Sequence, residues 1–146
     1  MKSILVVLLG SLLLSLSHAE EKTAEQLVAS KKKADMTYKQ LMEIMGDASA
    51  MIHKGIIRQN KQMVKKGADL ILHHPAPKHK PWSIMAPSDQ KAFKQSLLSF
   101  DKILDKHAFR AEEEAKKENW LEASKSAYEL TNSCISCHSM WKYKVN

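Results

Sequence analysis

The sequence predicts an all-α protein, an antiparallel four-helix bundle, on three observations. Glycine and proline are scarce, four of each in 146 residues, and three of the prolines crowd between Pro75 and Pro81 with the last at Pro87. Outside that stretch the apolar residues recur at alternating steps of three and four, the period of one buried helix face. No segment shows the two-residue alternation of a half-buried strand.

The first residues stand apart from this pattern. Lys2 precedes an apolar run from Ile4 to Leu16 and then Ser17-His18-Ala19, the charged start, greasy centre and small-residue cleavage site of a secretory signal peptide. The run is too short to cross a hydrocarbon core of about 30 Å as a helix; an uncleaved membrane anchor is the competing reading. Residues 1–19 are therefore expected to be removed, leaving one domain, 20–146, in the periplasm.

In that domain Ala34, Tyr38, Leu41, Met45, Ala48 and Ile52 form one stripe, predicting a first helix from about Thr23 to about His53 that ends near Gly55. A shorter second helix turns Met63, Val64, Gly67, Ala68 and Ile71 inward. The segment "HHPAPKHKPW" stops it, because Pro75 cannot continue a helix and disfavours helical geometry at His74. Ser88 is the expected cap of the third helix, with Asp89 suited to its positive end and a stripe of Phe93, Leu97, Phe100, Leu104, His107 and Ala111. Asn119 is the expected cap of the fourth. Its stripe is Trp120, Ala123, Ala127, Leu130, Cys134, Cys137 and Trp141, so both cysteines fall on the inward seam. Four amphipathic helices with short connections and one longer crossover loop make a bundle.

The formal charge is +7, or +6 without Lys2. Its lysines are dispersed (Lys31-Lys32-Lys33, Lys65-Lys66, Lys116-Lys117) with Glu112-Glu113-Glu114 among them. That pattern reads as solvated helix faces and excludes a nucleic-acid stripe, although a basic surface can steer an acidic redox partner. In an oxidising compartment two cysteines would by default form a disulfide. Spaced three apart on a helix they close a very small loop, a poor staple because stabilisation grows with loop length.

Cys134-Ile135-Ser136-Cys137-His138 is instead the Cys-x-x-Cys-His signature for covalent attachment of c-type haem. Residues three apart share a helix face, so two thiols can add to the two vinyl groups on one porphyrin edge while the next residue directs an imidazole at the iron. Cys134 and Cys137 are thus the attachment residues and His138 the proximal ligand. A thioredoxin-type motif would open a helix after a strand, whereas this one ends a helix. Half of a zinc site would need a further ligand pair, for which His73-His74 is the only obvious candidate.

With the motif near the C-terminus, followed by Trp141-Lys142, the domain resembles the cytochrome c′ family, the class II cytochromes c. The resemblance covers the whole of 20–146. It implies one haem c, His138 as proximal ligand and Lys142 near the haem propionates. The run Tyr38-Lys39-Gln40-Leu41-Met42-Glu43-Ile44-Met45-Gly46 is similar to the family's first-helix segment and makes Met42 the distal residue. Tyr38 stands where the family usually has an arginine, with Lys39 as a shifted substitute. His74-Pro75-x-Pro77 resembles a low-spin subgroup. The family's habit of pairing through its first two helices implies a homodimer, with which exposed apolar residues such as Ile56 and Ile57 would agree.

A Met ligand opposite histidine favours outer-sphere electron transfer, whereas an open face admits a small gas. The expected function is a soluble, non-enzymatic carrier of single electrons using His138 and Met42. The alternative is a five-coordinate protein that binds nitric oxide or carbon monoxide. Met45, one turn further along, is the rival distal ligand, and gap-filling in the core is the plainer role for either methionine. A third reading gives His73, His74 and His79 a copper or zinc role. His107 is expected to be a hydrogen-bonded interior or boundary residue, with a second axial ligand as the rival reading, and His53 a helix-end residue explained by its dipole preference. Trp82, Trp120 and Trp141 are expected in the core or at the haem edge.

Overall fold

The computed structural model describes residues 22–145. The expected leader, 1–19, lies outside the described residues. Among those described, no helix is long and apolar enough to cross a membrane. The described residues are all-α, with five α-helices: α1 (Ala24–Ser30), α2 (Tyr38–Ile57), α3 (Lys61–Leu72), α4 (Gln90–Lys116) and α5 (Trp120–Trp141). A 3₁₀ turn covers Pro81–Ile84 and another, Lys142–Lys144, follows α5 directly.

The single helix expected from Thr23 to His53 is two helices. Thr37 accepts from the Gln40 N–H at 3.1 Å and the Gln40 side chain accepts from the Thr37 N–H at 2.7 Å, a capping box that starts α2 afresh. Thr23 and Gln26 do the same for α1. Between the two helices the chain is extended, and β1 (Lys33–Ala34) pairs in parallel with β2 (Ala76–Pro77) in the proline-rich crossover. Ala34, expected on the helical stripe, is therefore a strand residue. At its other end α2 runs past His53 to Ile57, carrying Gly55 inside the helix.

α2 packs on α3, α3 on α4, α4 on α5, and α2 on α5, around Leu41, Met45, Ala48, Ile52, Val64, Ala68, Ile71, Ala108, Ala111, Ala127 and Leu130. Gly67 is required at the α2–α3 contact, since a Cβ there would lie 2.7 Å from the Ala48 carbonyl oxygen and 2.8 Å from Ile52. Ile56 is buried at this contact, against expectation, while Ile57 is 83% exposed.

The connections Arg58–Asn60 and Lys117–Asn119 use one device twice. Gln59 and Glu118 adopt left-handed φ of 51° and 62°. In each turn the amides of that residue and the next return to the helix: Gln59 to Ile56 and Asn60 to Gly55, Glu118 to Ala115 and Asn119 to Glu114. This is the Schellman arrangement, made here without glycine. Asn60 then caps α3 through the Met63 N–H. Asn119 takes the expected cap position, but its side chain donates to Glu114 instead. α4 is preceded by Asp89, not Ser88, as its cap residue.

On α4 the expected stripe is only partly deep. Phe93 and Ala111 are buried, whereas Leu97, Phe100, Leu104 and His107 are half-buried. The deepest positions further along are Ala108, Ala115 and Glu112; small side chains let the helices approach. Glu112, 5% exposed, is neutralised by Lys116 at 2.9 Å and Lys65 of α3 at 3.8 Å.

Candidate functional site

Cys134, Cys137 and His138 occupy the last two turns of α5. Both thiols are free and half-buried, at the inner end of the seam formed by Ala123, Ala127 and Leu130. Cys137 packs with Tyr38 and Leu97 against a second core cluster containing Trp82, Phe93 and Trp141. Three rings from three helices meet edge to face there: Tyr38 and Phe93 with centroids 6.1 Å apart, Phe93 and Trp141 at 5.3 Å.

Burial pushes both thiols above their ordinary pKa, and Cys137 is raised further by the neighbouring Cys134. The negative end of a helix dipole also disfavours a thiolate. A thioredoxin-like pair shows the opposite, with a thiol lowered at a helix N-terminus.

Tyr38 and Leu97 also line a cavity of about 80 Å³, together with Met42, Met45, Leu41 and Leu104. Met42 is half-buried and Met45 buried, so both methionines face the same space. Burial, then the charges of Cys137 and Asp101, drive the Tyr38 hydroxyl far above its ordinary range.

The far wall of the cavity is polar. Asp101 accepts from Lys31 at 2.9 Å and lies 3.3 Å from His74 Nε2. Lys31 Nζ is 2.7 Å from the same His74 nitrogen, and His74 Nδ1 is 2.9 Å from the Pro75 carbonyl. A carbonyl only accepts, so Nδ1 carries the proton and Nε2 accepts from Lys31. Burial alone would raise the Asp101 pKa, but the neighbouring His74 and the Lys31 ammonium outweigh it and hold the carboxyl below its ordinary value. Asp105, one turn on, is raised by burial and then by the charge of Asp101.

The other expected site residues are placed as follows. His138 is exposed, its carbonyl accepting the Lys142 N–H. Lys142 is exposed too, 5.9 Å from the Tyr143 ring. His73 and His79 are exposed, and among the described residues no three His, Cys, Asp or Glu side chains are grouped to hold a metal ion. His53 is more than a helix-end residue: half-buried, it donates from Nε2 to Thr131 of α5 at 2.9 Å, because the Thr131 hydroxyl is spent on the Ala127 carbonyl. His107, expected to be hydrogen-bonded, leaves a buried Nδ1 without a partner.

The residues present suit a covalently held porphyrin in three respects. The thiols are free and share a face, their surroundings are apolar and aromatic, and the buried indole N–H of Trp141, beside Cys137, has no acceptor. A buried donor left unpaired costs about 1–3 kcal/mol, which a carboxylate arriving with the group would offset. The cavity is smaller than the roughly 300 Å³ or more of cofactor pockets and neither thiol nor His138 lines it, so seating the ring requires side chains such as Met42 and Leu97 to move. A second groove, about 520 Å³ and open, lies along α2 and α3 beside Met51, Lys54 and Met63 and shares no lining residue with the cavity.

Sequence reasoning missed Lys31 and Asp101. A signal existed for Asp101: it stands between Leu97 and Leu104 at steps of four and three, a carboxylate in an inward register.

No protein-family model, no curated protein and no solved structure matches the chain.

Proposed function

We propose that the chain is an exported c-type cytochrome resembling the class II cytochromes c, in which α2 to α5 form the antiparallel four-helix bundle. Cys134 and Cys137 hold one haem c through thioethers, His138 is the proximal iron ligand and Met42 the distal one. It is a carrier of single electrons in the periplasm and performs no bond-making chemistry. The observation that carries the reading is the pair of free thiols on one face of α5, followed at once by a histidine, with Cys137 packed on the same cluster as Tyr38 and Leu97, which line the cavity of Met42.

When bound, the haem supplies an iron that cycles between ferrous and ferric states. The chain contributes the rest. α5 fixes both sulfurs and the imidazole on a rigid element. Tyr38, Phe93 and Trp141 exclude water at the Cys137 side, and such exclusion limits reorganisation and tunes the potential. Trp141 would offer its unpaired N–H to a propionate, with Lys142 as a cation at the rim.

The visible spectrum of the purified ferric protein tests the ligand set. A low-spin spectrum with a sulfur-to-iron charge-transfer band is expected, and Met42→Ala should convert it to high-spin while Met45→Ala should not. A high-spin wild type would transfer the reading to a gas-binding protein with an open distal face. An unchanged spectrum in Met42→Ala would remove Met42 from the iron.

A further inference from the structure

The motif helix ends in a surface whose composition differs from the rest of the chain. Residues 131–146 contain no aspartate or glutamate, although acidic residues are dispersed through 20–129. The same stretch exposes four large apolar side chains, Ile135 at 57%, Met140 at 46%, Tyr143 at 90% and Val145 at 47%, with Lys142 and Lys144 among them. Ser136 and Ser139, which lie between, donate to the carbonyls of Asn132 and Ile135 in their own helix. Their hydroxyl protons are thus spent, and the surface is apolar at its centre and cationic at its edge.

This surface is also held in place. Val145 bridges to Met85, and Lys144 lies 5.0 Å over the Trp141 ring. The carboxylate at its border, Asp89, is paired with Lys144 at 3.8 Å. An anchored tail with exposed aromatic and aliphatic groups, rimmed by lysines, is a surface for recognition.

We infer that the C-terminal face of α5, centred on Ile135 and Tyr143, is the docking site for an acidic, one-electron redox protein. The inference rests on the electron-carrier reading, which makes the exposed side of the motif helix the shortest way to the iron. Size favours a transient partner: four apolar side chains cannot make the large interface of a permanent complex, whereas redox encounters bury less than about 1,200 Å². Charge opposes self-association, since a second copy would bring an equally cationic face and a net charge of +6 once Lys2 is removed from the +7 of the full sequence. Steering by opposite charge then supplies the encounter rate.

The test uses an oxidised flavodoxin, an acidic one-electron carrier, as the probe and the exported, oxidised protein as the target, so that only binding is read. Amide shifts should change within 131–145, weaken with salt, and report an affinity lowered about tenfold by Ile135→Asp with Tyr143→Asp. The pair Ile57→Asp with Leu121→Asp adds the same charge at side chains 83% and 79% exposed and should change affinity by less than about threefold. Shifts confined to the α2–α3 face, or equal losses in both pairs, would overturn the site. So would binding to phosphatidylglycerol vesicles without binding flavodoxin, or concentration-dependent shifts at 131–145 with no partner present. Amide mapping needs no haem, so a colourless protein that still binds through 131–145 would refute the haem reading while keeping the surface. A red protein that binds elsewhere would do the reverse.

Discussion

Asp101 and Asp105 sit one helical turn apart and are expected to respond to acid in opposite senses. The folded Asp101 carboxyl is held below its ordinary value because its contacts with His74 and the Lys31 ammonium outweigh burial. Its stabilisation is therefore complete above the unfolded carboxylate pKa of about 3.9 and is lost as the pH falls through the lower folded value. Asp101→Asn should cost about 2 kcal/mol at pH 7, in the range of hydrogen bonds to charged groups, and progressively less below pH ~4. Asp105 is raised, by burial first and by Asp101 second. The fold gains stability as the pH drops through that raised value, so Asp105→Asn should raise Tm at pH 7 and have little effect in acid. Thermal melts of both variants across pH check the pair, and parallel curves would contradict the assignment. Such a cluster was not legible in the sequence. Its members are 43 and 27 positions apart, and a lysine in a Lys-Lys-Lys run looks solvated until the fold carries it against α4.

Among the elements, the sequence carried the period of each helix better than its ends. Ala34 and Tyr38 are four apart, so the apolar stripe runs unbroken across a point where the backbone does not. The Thr37-x-x-Gln40 capping box was the local sign of that break, and the periodicity masked it. The two Schellman turns were hidden for another reason: residues with left-handed φ are expected to be glycine, and Gln59 and Glu118 are not. A side chain in that region is strained by about 1–2 kcal/mol. Gln59→Gly should therefore stabilise the protein by about 1 kcal/mol, read as a higher denaturant midpoint with unchanged slope. Gly67→Ala should do the opposite. With backbone and Ile52 both within 3.0 Å of the added carbon, α2 and α3 must separate, and overpacking of this kind costs about 1–3 kcal/mol. An unchanged midpoint would show that the contact is looser than described.

For the molecule as a whole, the arrangement of helices and the motif at its end form one argument. A five-residue attachment signature is legible because its chemistry fixes the spacing within a single helix, whatever the rest of the chain does. What surrounds it is not local. The aromatic wall of Tyr38, Phe93 and Trp141 and the cavity beside Met42 come from helices far apart in sequence. They join because α2, α4 and α5 pack together. On the proposed reading, one covalent porphyrin would account together for two half-buried thiols with raised pKa values and an indole N–H without an acceptor. The most direct test is the intact mass of the chain exported through a host competent in cytochrome maturation. The account predicts a mature polypeptide carrying the mass of one haem that survives denaturation and acid extraction, reduced to none when Cys134 and Cys137 are both replaced by serine. A colourless wild-type protein with the mass of the polypeptide alone would contradict it.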